Sequence, residues 1–163
     1  MAEERRYAAV IGPSRCPDET GDLCRAVGRG LAEAGFTLVT GGMGGAMEAA
    51  SRGAREAGGT VVGILPGTDR DAANPHCDVT VVTGLGHARN LAVVASADVV
   101  VAVGGEWGTL SEIGLAGVLG RPVVLLAGWH LEHESRMPSE IRYARDAAEA
   151  VSLATEATGR TST

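Results

Sequence analysis

Hydrophobic and polar positions fall into two alternating kinds of block along the chain. Short, uninterrupted apolar runs recur as YAAVIG (Tyr7–Gly12), FTLVT (Phe36–Thr40), TVVGIL (Thr60–Leu65), VTVV (Val79–Val82), DVVVAV (Asp98–Val103) and PVVLLA (Pro122–Ala127). Between them the spacing turns helical. From Asp18 to Ala34, Leu23, Val27 and Leu31 recur every fourth residue on one face, and Gly35 ends the segment. Further helices are predicted over Ala46–Ala57, from about His87 to Ala97, from the turn at Gly104 to about Leu119, and from about Asp146. The small residues Ala46, Ala50, Gly53, Ala54 and Ala57 predict a closely packed face on the second of these. Pro66–Asp78 and Gly128–Ser139 read as loops, Ile141–Ala144 as a short strand, and residues 158–163 as a frayed tail.

Strands that are apolar throughout have both faces covered, the mark of a parallel sheet between two helical layers. The chain is therefore expected to be α/β: a single-domain, Rossmann-like doubly wound sheet over residues 1–157, mostly parallel, with helices on both faces. In such sheets ligands bind outside the carboxyl ends of the strands, at the topological switch point. The strand-end turns are where chemistry should be sought.

Composition narrows the options. The 24 glycines are about twice the usual share and aromatics are only 3%. That balance favours tight turns and close packing over base-stacking platforms. A formal charge of −6 argues against a nucleic-acid surface, which needs a basic face. Cys16, Cys24 and Cys77 show no C-x-x-C spacing and read as reduced thiols. The start MAEERRYAAVIG lacks the apolar core of a signal peptide, and Ser96, Asp98 and glycines interrupt the apolar stretches. A cytoplasmic protein with neither nucleic-acid nor membrane partner is expected.

Four turns carry candidate chemistry. Gly12 and Ser14 follow the first strand; Gly41, Gly42, Gly44 and Gly45 follow the second. GHARN (Gly86–Asn90) opens a helix, and GGEWGTLSE (Gly104–Glu112) follows the strand at Asp98–Val103. In this last turn Gly104, Gly105, Glu106, Trp107, Gly108 and Thr109 are candidate ligand contacts. Glycines let backbone N–H groups approach an anion, and the helix N-terminus behind them adds positive potential. Glycines also serve sharp βα turns, and Trp107 could stack on a ligand or cover the turn. G-x-G-x-x-G is absent after the first strand, Thr40 stands where a ribose-binding acid would end the second, and no G-x-x-x-x-G-K-[ST] occurs. Neither full NAD binding nor a P-loop is expected. WHLEHE (Trp129–Glu134) spaces its histidines poorly for a metal, so no metal centre is expected.

GGEWGTLSE, with Arg89 fifteen residues before Gly104, resembles the P-G-G-x-G-T-x-x-E signature of the LOG-type phosphoribohydrolases, once mislabelled lysine decarboxylases. Longer stretches, VTGGMGGAMEAASRGAREAGGTVVGILPG and ADVVVAVGGEWGTLSEIGLA, are similar to a bacterial branch that resembles the molybdenum-cofactor carrier proteins. The resemblance runs in order from about Tyr7 to Leu126. It implies a small-molecule nucleotide as ligand and, in the hydrolases, cleavage of the N-glycosidic bond of a nucleoside 5′-monophosphate. It implies catalytic roles for Arg89 and Glu112, no required cofactor, and a homodimer or homotetramer. The carrier branch implies instead a bound pterin nucleotide and no chemistry.

The residues make sense of those roles. Cleaving a ribosyl–base bond builds positive charge on the sugar, which a carboxylate stabilises, or relieves by activating water. An arginine can hold phosphate or ribose oxygens bidentately. Two departures stand out: Glu106 replaces the second glycine of the signature, and Asn90 replaces the lysine that follows the arginine in many of the hydrolases. A Glu106 carboxylate about 4 Å from a phosphate charge would cost roughly 4 kcal/mol at an effective dielectric of 20, about three decades in affinity. A left-handed backbone at Glu106 would add about 1–2 kcal/mol. The local turn is therefore expected to differ from the hydrolase form.

Overall fold

The computed structural model describes residues 4–134 and 140–159. Each apolar run becomes a strand: β1 (Arg6–Ile11), β2 (Phe36–Thr40), β3 (Val61–Leu65), β4 (Val79–Val82), β5 (Val99–Val103), β6 (Val123–Leu126) and β7 (Ile141–Ala144). The helices are α1 (Asp18–Glu33), α2 (Ala46–Glu56), α3 (Arg89–Ala95), α4 (Trp107–Leu119) and α5 (Ala147–Thr158). All strand pairings are parallel, in the order β4-β3-β2-β1-β5-β6-β7.

The period-2 alternation of side chains explains why the strands read as unbroken apolar runs. Along β5, Val99, Val101 and Val103 enter the layer beneath α1, α2 and α5, while Val100 and Ala102 enter the layer beneath α3 and α4. Both sets are buried, so no position on this central strand is left for a polar residue. The small face of α2 does what its composition predicts. A Cβ on Gly53 would lie 2.8 Å from the Arg25 carbonyl carbon, and one on Gly28 2.7 Å from that of Ala50, so α1 and α2 touch backbone to backbone.

Some boundaries shift. The helix predicted from His87 begins as a 3-10 turn, Gly86–Ala88, before α3 proper. The Pro66–Asp78 loop holds a 3-10 turn at Arg70–Ala72, where Asp69 accepts from the Asp71 N–H at 2.9 Å. The last helix starts at its Asp146 cap, which accepts from the Glu149 N–H at 2.8 Å, and it runs to Thr158. Of the tail expected to fray, residues 160–163 lie outside the described residues, as do residues 135–139 of the loop before β7. Among the described residues no helix is long and apolar enough to cross a membrane.

Strand order decides where a site can form. From β1 the chain winds outward through β2, β3 and β4, then returns through α3 to β5 on the other side of β1. The turns after β1 and β5 therefore leave neighbouring strands in opposite directions, which opens a crevice between them.

Candidate functional site

That crevice holds a cavity of about 370 Å³. The β1–α1 turn contributes Gly12, Ser14 and Arg15; the start of α4 contributes Glu106, Gly108, Thr109 and Glu112. His87, Arg89 and Asn90 reach it from the turn into α3, and Met47 from α2. Arg89 and Glu112, more than twenty positions apart in sequence, share this one cavity.

Arg89 is held from an unexpected side. Its Nη1 donates to the Gly41 carbonyl at 2.9 Å and to the Ile64 carbonyl at 3.2 Å, so the side chain ties α3 to the ends of β2 and β3. Gly41 makes this possible. A Cβ there would occupy the space of Arg89 Nη1 and lie 2.6 Å from the Met47 sulfur. Arg89 Nε is buried with no hydrogen-bond partner. Burial lowers the affinity of this guanidinium for its proton, and the nearby Glu112 charge opposes the effect.

Glu112 lies one turn into α4, half-buried, with no hydrogen bond or ion pair among the described residues. Burial pushes its carboxyl up to about 7, against a smaller opposing pull from Arg89. Near neutral pH the group is thus divided between acid and carboxylate, the condition that general acid–base work requires. Arg89 and Glu112 interact by charge without closing an ion pair.

The glycine turn before α4 places no left-handed strain on Glu106. Glu106 has φ −119° and ψ −155°, ordinary extended backbone. The left-handed positions fall on Gly104, φ 62°, and Gly105, φ 108°. A Cβ on Gly105 would also lie 2.6 Å from Thr109 Cγ2. Glu106 caps α4 by position only, since its side chain accepts no helix N–H. The amides of Gly108 and Thr109, in the first turn, stay available to an anion in the cavity.

The remaining candidates are dispersed. Gly42, Gly44 and Gly45, like Gly41, Gly104 and Gly105, are not among the residues that line the cavity. Gly45, at φ 64°, brings its backbone against Ser14, so the second glycine loop supports the first turn from behind. Trp107 also lies outside the lining; it is 78% exposed and packs on Trp129 with centroids 5.7 Å apart. His130 packs on Tyr143 and lies 3.5 Å from Glu132. Sequence reasoning passed over Arg15, whose signal was its place directly after Ser14, and Met47, which carried none.

Residues 5–157 match the SLOG cluster4 family. An uncharacterized protein of Archaeoglobus fulgidus is 44% identical over 117 residues, 72% of this chain and 77% of that protein. A cytokinin riboside 5′-monophosphate phosphoribohydrolase of Mycobacterium marinum is 34% identical over 138 residues, 78% of this chain and 74% of its own. Among solved structures, the molybdenum cofactor carrier protein of Chlamydomonas reinhardtii superposes with a TM-score of 0.86 at 32% identity, over 96% of this chain and all of the other.

Proposed function

The chain belongs to the SLOG cluster4 family, and we propose that it binds a nucleoside 5′-monophosphate and hydrolyses its N-glycosidic bond. The observation that carries this reading is Glu112: a half-buried carboxyl at about 7, facing Arg89 across the switch-point cavity. The phosphate would rest on the Gly108 and Thr109 amides and the Ser14 hydroxyl, and the ribose would lie toward Glu112. The C1′–N bond breaks with its electron pair leaving on the base. Water adds to C1′, and its proton ends on the base, which gives free base and ribose 5-phosphate. Ionised Glu112 stabilises the positive charge that develops on the sugar or accepts the proton of the attacking water. Arg89 orients the substrate and keeps part of Glu112 ionised. The likeness to a phosphoribohydrolase over most of both chains supports the same chemistry.

A second reading, a carrier that binds a pterin nucleotide and does no chemistry, is favoured by a different observation. Arg89 spends Nη1 on two backbone carbonyls, and Asn90 supplies no second cation beside it. The fold likeness to a molybdenum cofactor carrier protein points the same way. In either reading the exposed apolar residues Leu91 of α3 and Val118 and Leu119 of α4 offer a face to a second copy of the chain.

Incubation with a panel of purine and pyrimidine 5′-monophosphates, followed by chromatography for free base, separates the readings. Release of base from at least one, with turnover in Glu112→Gln reduced about 100-fold or more, is the expected result. No base from any of them, or unchanged turnover in Glu112→Gln, refutes hydrolysis. Retention of a fluorescent pterin through purification would then support the carrier.

A further inference from the structure

Arginines on this surface are mostly committed. Arg25, Arg29, Arg52, Arg55, Arg142 and Arg145 each pair with a carboxylate. Arg15 does not. It makes no ion pair or hydrogen bond with any described residue, yet it lines the switch-point cavity from the β1–α1 turn. Glu106 is its mirror image: exposed, likewise without a partner, and lining the same cavity from the β5–α4 turn. The only other arginine of the lining, Arg89, donates Nη1 to the Gly41 and Ile64 carbonyls.

An anion seated on the Gly108 and Thr109 amides lies at the terminus that Glu106 caps, two residues before Gly108 in the chain. A like charge about 4 Å away costs between about 1 and 4 kcal/mol as the local dielectric falls from that of water to about 20. The partial charge of the helix terminus, worth about 0.3–1 kcal/mol to an anion at an exposed site, falls short of that. A cation beside the phosphate makes up the difference. We propose that Arg15 is a phosphate-binding residue of this cavity, whose guanidinium takes the phosphate monoester of the ligand and offsets the Glu106 carboxylate on the opposite wall. Phosphate is the class of anion its fork fits, through two parallel N–H···O bonds. Arg15 thereby supplies the charge that Asn90 lacks, from a different loop.

The inference rests on the mononucleotide reading for the rest of the ligand, but its test does not. Binding of ribose 5-phosphate and of inorganic phosphate is measured by isothermal titration calorimetry, without a nucleobase and without turnover. Arg15→Ala should weaken ribose 5-phosphate by about 10- to 100-fold, the worth of one hydrogen bond to a charged group. Glu106→Gln should tighten it by about 10-fold, and the double variant should recover part of what Arg15→Ala loses. Arg15→Lys should fall between, since it keeps the charge and loses the fork. Arg15 makes no hydrogen bond or ion pair with any described residue, and an unchanged urea midpoint confirms that each variant is folded. Wild-type affinity in Arg15→Ala, no tightening in Glu106→Gln, or no phosphate binding by the wild type each overturns the assignment. Phosphate binding that depends on Arg15, with no base released from any nucleotide, leaves this inference standing and removes only the hydrolase reading.

Discussion

Replacing Glu112 by glutamine tests whether burial or Arg89 governs the carboxyl at the centre of the site. Burial raises it from 4.5 to about 7, and Arg89 pulls it down less than burial pushes it up. At 1.36 kcal/mol for each pH unit, that rise corresponds to about 3 kcal/mol. The sign follows from proton counting. Between 4.5 and about 7 the folded chain keeps a proton that the unfolded chain has released, so its stability falls as pH rises through that window. Above about 7 both states are ionised, and the full cost of a buried charge is present. Glutamine matches the shape of the neutral acid and has no charge to bury. The variant should equal the wild type near pH 4 and exceed it by up to about 3 kcal/mol near pH 8. Urea denaturation of both proteins, without ligand, at several pH values across this range gives the difference directly. A difference that does not change with pH would refute the reasoning. A wild type that is the more stable at pH 8 would do so more pointedly, since Arg89 would then outweigh burial.

Two further expectations concern packing. Gly41→Ala places a methyl group where Arg89 Nη1 and the Met47 sulfur now lie. It should cost about 1–3 kcal/mol in urea denaturation and weaken ribose 5-phosphate binding as Arg89 is displaced; an unchanged midpoint would show that Arg89 has another resting place. Val118, 81% exposed on α4, belongs to the apolar face proposed above for a second copy. Val118→Asp should convert an oligomer to a monomer in sedimentation velocity, and a wild type that sediments as a monomer would remove that face from consideration.

The sequence by itself determined the elements and the chemistry on offer. Unbroken apolar runs were legible as β1 to β6 from the pattern alone; most are buried between two layers, as the α/β class requires, while Val79 and Val81 of the edge strand β4 stay exposed. Gly104 and Gly105 mark a backbone that other residues would strain, and the resemblance to the LOG-type signature named Arg89 and Glu112, the pair that the cavity unites. Only the tertiary structure decided what surrounds those residues. Neither the β1–β5 pairing that opens the crevice nor the contacts of Arg89 with Gly41 and Ile64 leaves any periodic trace, because they join positions 25 to 48 residues or more apart. The same holds for the burial of Glu112 and for the packing of Trp107 on Trp129. Periodicity and turn chemistry are local properties of the chain. Desolvation, charge pairing and the direction of a side chain are set by neighbours that arrive only when the sheet closes.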